Sequence, residues 1–91
     1  MKCIYQISSS VFLSDEIERI NQEIIQDLIP QKPCQIIIDI CDHKELDPVS
    51  LALIIRAYSH LSKLKIKLLI TSINPDIKIF AKKLGIEFLL K

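Results

Sequence analysis

One short run of β-branched residues, Ile36-Ile37-Ile38-Asp39-Ile40, constrains the fold of this chain more than any other feature. A nearly continuous apolar run of this length is typical of a strand that is covered on both faces, as in a parallel sheet. Parallel strands cannot be joined by a tight hairpin, and the crossover that joins them usually contains a helix. The run therefore predicts an α/β fold in which strands alternate with helices.

Three segments with apolar residues at helical spacing accompany this strand. Each of them follows a residue whose side chain can cap a helix, and in two of them a proline follows the cap at once. A glycine after the last segment is a typical helix stop. The segments are Asp15 to about Leu28 after Ser14, Pro48 to about Lys63 after Asp47, and the one that Asn74-Pro75 opens and Gly85 ends.

Further strands are predicted on either side of the helices. Cys3 to Ile7 and Val11-Phe12-Leu13 indicate a first strand with a break, and Ile66 to Ile73 indicates a strand after the second helix. Ile86 to Leu90 is predicted as a last edge strand. The expected fold is α/β, with a four-to-five-stranded mixed sheet, about three helices packed on it and right-handed crossovers.

Length and composition bound the class of protein. With 91 residues, the chain is expected to form one domain, residues 1–91. It is 49% apolar and its mean hydropathy is +0.32, yet no apolar run approaches the roughly 18 residues that a membrane span needs. The first residues lack the pattern of a secretory signal, so we expect a cytoplasmic protein without direct membrane insertion. Twelve basic and eleven acidic residues nearly cancel, which argues against binding nucleic acid.

The residue types that carry catalysis occur without a supporting context. Gly85 is the one glycine, whereas phosphate-binding loops need several. His43 lies in an acidic loop that could hold a metal, but a solvated loop is the commoner interpretation. Ser50 has no nucleophile motif around it. We therefore expect neither an enzyme nor a bound cofactor or metal.

Three cysteines, Cys3, Cys34 and Cys41, form no C-x-x-C pair. An odd number of cysteines suits reduced thiols in a cytosol better than a disulfide framework. Cys34 and Cys41 flank a strand-like run, so we expect both to pack in the core.

The helix that begins at Pro48 has an unusual outer face. On a helical wheel, the stripe opposite Leu51, Ile54 and Leu61 begins apolar and ends basic. Two interpretations stay open: incidental surface residues with basic groups that complement the helix C-terminus, or a docking surface with Leu53 at its margin. The residues on this stripe are Val49, Ala52, Arg56, Ser59 and Lys63.

The segment from Ile36 to Leu90 resembles the STAS domain family in its order of elements. Leu46-Asp47-Pro48-Val49-Ser50-Leu51-Ala52-Leu53-Ile54 looks like the family's Asp-Ser-Ser-Gly-Leu motif with the apolar residues that follow it. Asn74-Pro75-Asp76-Ile77 looks like the segment that opens the family's next helix, which ends here in Leu84-Gly85-Ile86. Residues Cys3 to Leu28 match in layout only.

The resemblance carries a specific expectation about phosphorylation. In the anti-sigma factor antagonists of this family, the second Ser of the motif is phosphorylated by the partner kinase, and the added charge breaks the complex. Here Val49 stands at that position, Pro48 replaces the first Ser and Ser50 replaces the Gly. The usual switch is therefore expected to be absent unless Ser50 takes it over as a phosphorylation site.

A second STAS subgroup, the small subunit of Mla-type lipid-transport ABC complexes, binds an ATPase subunit through the same helix. Leu51-Ala52-Leu53 and the Ala81-Lys82 pair resemble that subgroup, although it has a Thr where this chain has Pro48. The resemblance implies a non-catalytic module that docks on a partner with a nucleotide-binding fold. An ABC ATPase is the leading candidate, an anti-sigma factor kinase the alternative, and a small enzyme the remote one. The predicted contacts are Val49, Ala52, Leu53 and Arg56, with Asp47 as the helix cap.

Overall fold

The structure is a computed structural model that describes residues 2–7, 13–43 and 45–90, and strands alternate with helices along them. A π-helical segment (Ile24–Leu28) and a 3-10 turn (Ile29–Gln31) continue the first helix, and a second 3-10 turn (Glu87–Leu89) follows the last one. The strands are β1 (Lys2–Gln6), β2 (Gln35–Asp39) and β3 (Lys67–Thr71), and the helices are α1 (Leu13–Glu23), α2 (Pro48–Lys63) and α3 (Asp76–Leu84).

The sheet has the order β1-β2-β3, and both strand pairs are parallel. The predicted α/β class and the three helices are therefore present. The number of strands differs from the prediction, because the described residues form three parallel strands and not a mixed sheet of four to five. Val11 and Phe12, predicted as part of a broken strand, lie outside the described residues, and Leu13 is helical.

The predicted edge strand from Ile86 to Leu90 is wrong over most of its length. Glu87–Leu89 is a 3-10 turn, and Leu90 alone makes an isolated parallel bridge to Ile70. Ile86 and Leu89 are both buried. Since these two residues are three apart, a tight helical turn brings both to the core, whereas an extended strand would place them on opposite faces.

The core lies between the sheet and the helices. Side chains alternate across the sheet, so Ile36, Ile38, Leu68 and Ile70 join the helices in one cluster, while Ile37 and Leu69 belong to the other face. All of these are buried, as expected for the central part of a parallel sheet. The helical members of the cluster include Ile17 and Ile20 of α1, Ile54 and Leu61 of α2, and Ile77 and Ala81 of α3.

Of the four predicted helix-end signals, those at Asp47, Asn74 and Gly85 act at a helix end, and the one at Ser14 does not. Gly85 adopts φ +68° after α3, a left-handed conformation that glycine reaches without strain. Asn74 Oδ1 accepts a hydrogen bond from the Asp76 backbone N–H at 3.0 Å at the start of α3. Ser14, predicted to cap the first helix, instead lies inside α1, because the helix already includes the buried Leu13.

Two of the cysteines are not placed as predicted. Cys34 is exposed and Cys41 is only partly buried. Cys34 precedes β2 in a bend where the adjacent Pro33 is buried in its place.

Among the residues that the structure describes, no helix combines the length and the apolar character that a membrane span requires.

Candidate functional site

The loops that follow β2 and β3 are tied to each other by one hydroxyl group. The Ser72 Oγ lies 2.8 Å from the carbonyl oxygens of both Cys41 and His43, and it accepts a hydrogen bond from the Asn74 backbone N–H at 3.1 Å. Asn74 Nδ2 also donates to the Asp42 carbonyl at 3.2 Å. These bonds hold the chain that leads from β2 to α2.

Asp39 turns the chain at the end of β2. Its Oδ1 accepts a hydrogen bond from the Cys41 backbone N–H at 2.9 Å, and Cys41 adopts φ 54°. A short Asp side chain that accepts from the backbone two residues on stabilises such a turn. Gln6 Nε2 of the neighbouring strand donates to Asp39 Oδ2 at 3.3 Å. The end of β1 is thus connected to the same turn.

Asp47 begins α2 through two hydrogen bonds to Ser50. Its Oδ1 accepts from the Ser50 backbone N–H at 2.7 Å, and its Oδ2 accepts from the Ser50 hydroxyl at 3.0 Å. Ser50 is completely buried, at 0% exposure. The candidate phosphorylation site therefore has no access to solvent in this conformation, a feature that the sequence pattern did not predict.

The two sides of α2 differ in burial. Ile54 and Leu61 are buried in the core, whereas Val49 is 60% exposed although it is apolar. The exposed start of the helix forms a shallow depression of about 310 Å³. The fold brings all four predicted contacts together in its lining: Val49, Ala52, Leu53 and Arg56. Pro48 is the fifth lining residue.

Towards its C-terminus, the exposed side of α2 becomes basic. Arg56, His60 and Lys63 are all exposed, and they line a second depression together with Ile55, Ala52 and Ser59. Cations in the last turn suit the negative end of the helix dipole. No ion pair involving Arg56 or Lys63 occurs among the residues with a described structure.

A groove between α1 and α2 adjoins this surface, and we did not predict it from the sequence. Asn21 of α1 donates from Nδ2 to the Leu53 carbonyl of α2 at 3.2 Å, which connects the two helices. A signal was present, because Asn21 is four residues after Ile17 and three before Ile24, within the apolar stripe of α1. A polar residue at such a position is expected to meet a neighbouring element.

Charged groups near the start of the chain lie on the other side of α1. Arg19 forms ion pairs with Glu16 at 3.0 Å and Glu23 at 3.3 Å on the solvent-exposed surface. The hydrogen bond to Glu16 raises the pKa of Arg19, which keeps its charge at any physiological pH. Burial raises the pKa of Tyr5 in β1, and the negative charge of Glu23 is the next largest cause.

The described residues contain no group of three or more His, Cys, Asp or Glu side chains that could hold a metal ion.

No curated protein and no solved structure gives a significant match to the chain. A family model for the STAS domain matches residues 2–91. STAS domains are in general non-catalytic modules that bind proteins or regulate them. The chain belongs to the STAS domain family.

Proposed function

We propose that this protein is a cytoplasmic accessory subunit that docks, through the exposed side of α2, on the ATPase of a lipid-transport ABC complex. The predicted contacts Val49, Ala52, Leu53 and Arg56 form one continuous surface with an apolar start and a basic continuation. An apolar side chain that is held in solvent at the start of a helix is typical of an interface and adds nothing to the core.

The exposure of Val49 is the observation that carries the proposal. Val49 is fixed on the surface because Asp47 and Ser50 define the helix start around it. Its neighbour Ser50 faces the core, so the side chain that a partner meets first is an aliphatic one. Burial of Val49 and Ala52 by a partner would contribute about 25 cal/mol for each Å² of apolar area removed from water, before the entropic cost of association is subtracted.

The same geometry favours a transport subunit over an anti-sigma factor antagonist. A phosphorylation switch needs a hydroxyl group that a kinase can reach at the start of α2. Val49 has none, and the Ser50 hydroxyl is buried against Asp47. None of Pro48, Val49 and Ser50 therefore offers a hydroxyl group that a kinase can reach. This supports a partner whose release does not depend on phosphorylation of this protein.

Affinity capture of the tagged protein from its native cytoplasm, with identification of the partner by mass spectrometry, tests this function. We expect the wild type to recover an ABC ATPase, and Val49→Asp to lose it. Ile79→Asp on α3 is the matched control, since Ile79 is 59% exposed and also lies near a helix start, and it should retain the ATPase.

Two other outcomes would replace the proposal. Recovery of a histidine-kinase-like anti-sigma factor would assign the chain to transcriptional regulation, above all if Ser50 carried phosphate. Turnover of a substrate by the purified protein would establish an enzyme. Equal capture of the ATPase by wild type and Val49→Asp would move the docking surface away from the start of α2.

A further inference from the structure

We infer that the groove between α1 and α2 receives a Tyr or Trp side chain from the protein partner, on a segment that also carries acidic residues. This inference rests on the proposed function, because it names what the partner presents to the docking surface. Three independent features of the groove support it: its apolar walls, a buried hydrogen-bond acceptor without a donor, and the basic side chains on its α2 side.

The groove is concave, apolar and small. Its volume is about 290 Å³, close to the lower end of the roughly 300–1,000 Å³ that small-molecule sites span. This size suits one large side chain better than an extended ligand. The apolar part of its lining comes from α2 and from the π-helical segment that follows α1: Ile24, Ile25, Leu53, Ala57 and Leu61.

The acceptor in this lining is the side-chain oxygen of Asn21. Asn21 Nδ2 donates to the Leu53 carbonyl, and this bond fixes which end of the amide is the oxygen. Asn21 Oδ1 is buried and has no hydrogen-bond donor among the described residues. A buried polar atom without a partner is costly, so a ligand that supplies an N–H or O–H group here removes that cost on binding.

The helix geometry changes at the same place. α1 ends at Glu23 and continues as the π-helical segment Ile24–Leu28, whose first two residues line the groove. Single π-helical turns occur frequently at functional sites. Ile25 is 57% exposed and lines the groove together with Asn21, so it forms part of the apolar rim of the groove.

The charged residues around the groove indicate which residues flank the aromatic side chain in the partner segment. Arg56 and His60 of α2 line the groove, and Lys63 lies one turn further along the exposed side. Glu18 is the acidic residue in the lining and offsets Arg56, so the positive excess on this side comes from Lys63 beside the groove. Arg56 has no ion-pair partner within the described part of the chain. Carboxylates that flank the aromatic residue would pair with these cations.

Aromatic residues that carry a donor combine both requirements. Tyr and Trp each bury a large apolar ring and have an O–H or N–H group that seeks a partner when it is buried. Phe fills the same space without a donor and would leave Asn21 Oδ1 unpaired. Tyr and Trp are also enriched among the residues that dominate binding at protein interfaces.

A pair of short peptides tests the inference with the intact protein. The probes are acetyl-Glu-Glu-Tyr-Glu-amide and its Phe counterpart, titrated into isotope-labelled protein and followed by backbone amide NMR shifts. We expect the Tyr peptide to bind roughly 2- to 10-fold more tightly, the effect of one hydrogen bond. The shifts should be largest around Asn21, Ile25 and Ala57. Equal affinities, or shifts centred elsewhere, would overturn the inference.

Two variants assign the effect to the groove. In Asn21→Leu, the Tyr and Phe peptides should bind equally well. Ile25→Ser, which removes apolar lining without adding a charge, should weaken both peptides, while Ile79→Ser, at an exposed Ile of similar exposure on α3, should change neither. Should Asn21→Leu disturb the fold, the comparison of Ile25→Ser with Ile79→Ser still decides whether the groove is the binding site.

Capture of the natural partner separates this inference from the proposed function. Loss of the ABC ATPase with both Val49→Asp and Ile25→Ser supports both. Loss with Val49→Asp but full retention with Ile25→Ser leaves the docking function in place and overturns the role of the groove. Retention with both variants contradicts the proposed docking surface itself.

Discussion

The Ser50 hydroxyl donates to Oδ2 of Asp47 across 3.0 Å, while the Ser50 backbone N–H donates to Oδ1 of the same carboxylate at 2.7 Å. One side chain thus satisfies a free N–H group at the helix end and a hydroxyl group that is buried in the core. The position of Val49 on the surface depends on this arrangement, because Val49 lies between the two residues.

The cap of α2 can be tested by Asp47→Ala. We expect the free energy of unfolding to fall by about 2 to 4 kcal/mol, since loss of a cap costs about 1 kcal/mol and an unsatisfied buried hydroxyl about 1 to 3 kcal/mol. Urea unfolding measures the change. Asp42→Ala, at an exposed loop position, is the control and should change little. A loss no larger than that of the control would show that the carboxylate does not support the helix start.

Adjacent positions in the first turn of α2 should differ strongly in how much stability a negative charge costs. Ser50→Asp places a second carboxylate in a buried site beside Asp47, and we expect it to cost more than about 3 kcal/mol. Val49→Asp keeps its charge in solvent near the positive end of the helix, so it should stay within about 0.5 kcal/mol of the wild type. Thermal and urea unfolding of the two variants check this, and similar losses would contradict the assigned burial.

The end of α3 depends on the backbone of Gly85. Gly85 adopts φ +68°, and a Cβ added there would meet nothing within 4 Å. Gly85→Ala should therefore destabilise the protein by about 1 to 2 kcal/mol through backbone strain alone, without a steric clash. Gly85→Asn should cost less, because Asn tolerates the left-handed region better. Urea unfolding compares the two, and an Ala variant as stable as the wild type would refute the strain.

Tyr5 should make stability depend on alkaline pH. Burial, followed by the charge of Glu23, raises its pKa above the ordinary value of about 10. The folded protein therefore keeps the phenol proton to higher pH than the unfolded chain does. The resulting stabilisation is complete below about pH 10 and is lost as the pH rises through the folded pKa.

The measurement compares the wild type with Tyr5→Phe, which cannot lose this proton. Urea unfolding between pH 8 and pH 11 should show the wild type losing stability relative to the variant above pH 10. Parallel curves for the two proteins would mean that Tyr5 titrates alike in the folded and unfolded states.

The elements with strong local signals were predictable from the sequence. The run around Ile37 is a buried parallel strand, and α2 has the predicted bounds, since Asp47 and Pro48 determine its start from local geometry. Gly85 ends α3 for the same kind of reason. These signals act over a few residues and do not need the rest of the fold.

Features that depend on distant contacts were not predictable in this way. Ser14 resembles a cap, but burial of Leu13 in the core extends α1 past it. Ile86 to Leu90 resembles a strand, but it turns so that Ile86 and Leu89 both reach the core. The spacing of the apolar residues alone does not distinguish these alternatives.

The candidate site, too, could be predicted from the sequence only where local signals determine it. The outer residues of α2 follow from helical periodicity, so Val49 and Arg56 could be named from the sequence. The burial of Ser50 and the groove beside Asn21 depend on how α1, α2 and the sheet pack together. One polar residue in an apolar stripe was the only local sign of that groove.

The parallel sheet also affects how fast the protein can fold. Gln6 and Asp39, which face each other in β1 and β2, are 33 positions apart in sequence, and β2 and β3 are offset by a similar length. Each strand pair must therefore close a long loop before its hydrogen bonds form, which slows folding. During synthesis, β1 is made first and has no strand to pair with until β2 has also emerged from the ribosome. Until then the unpaired backbone of β1 is open to other strands, and Ile4 remains 60% exposed on this edge strand after folding as well.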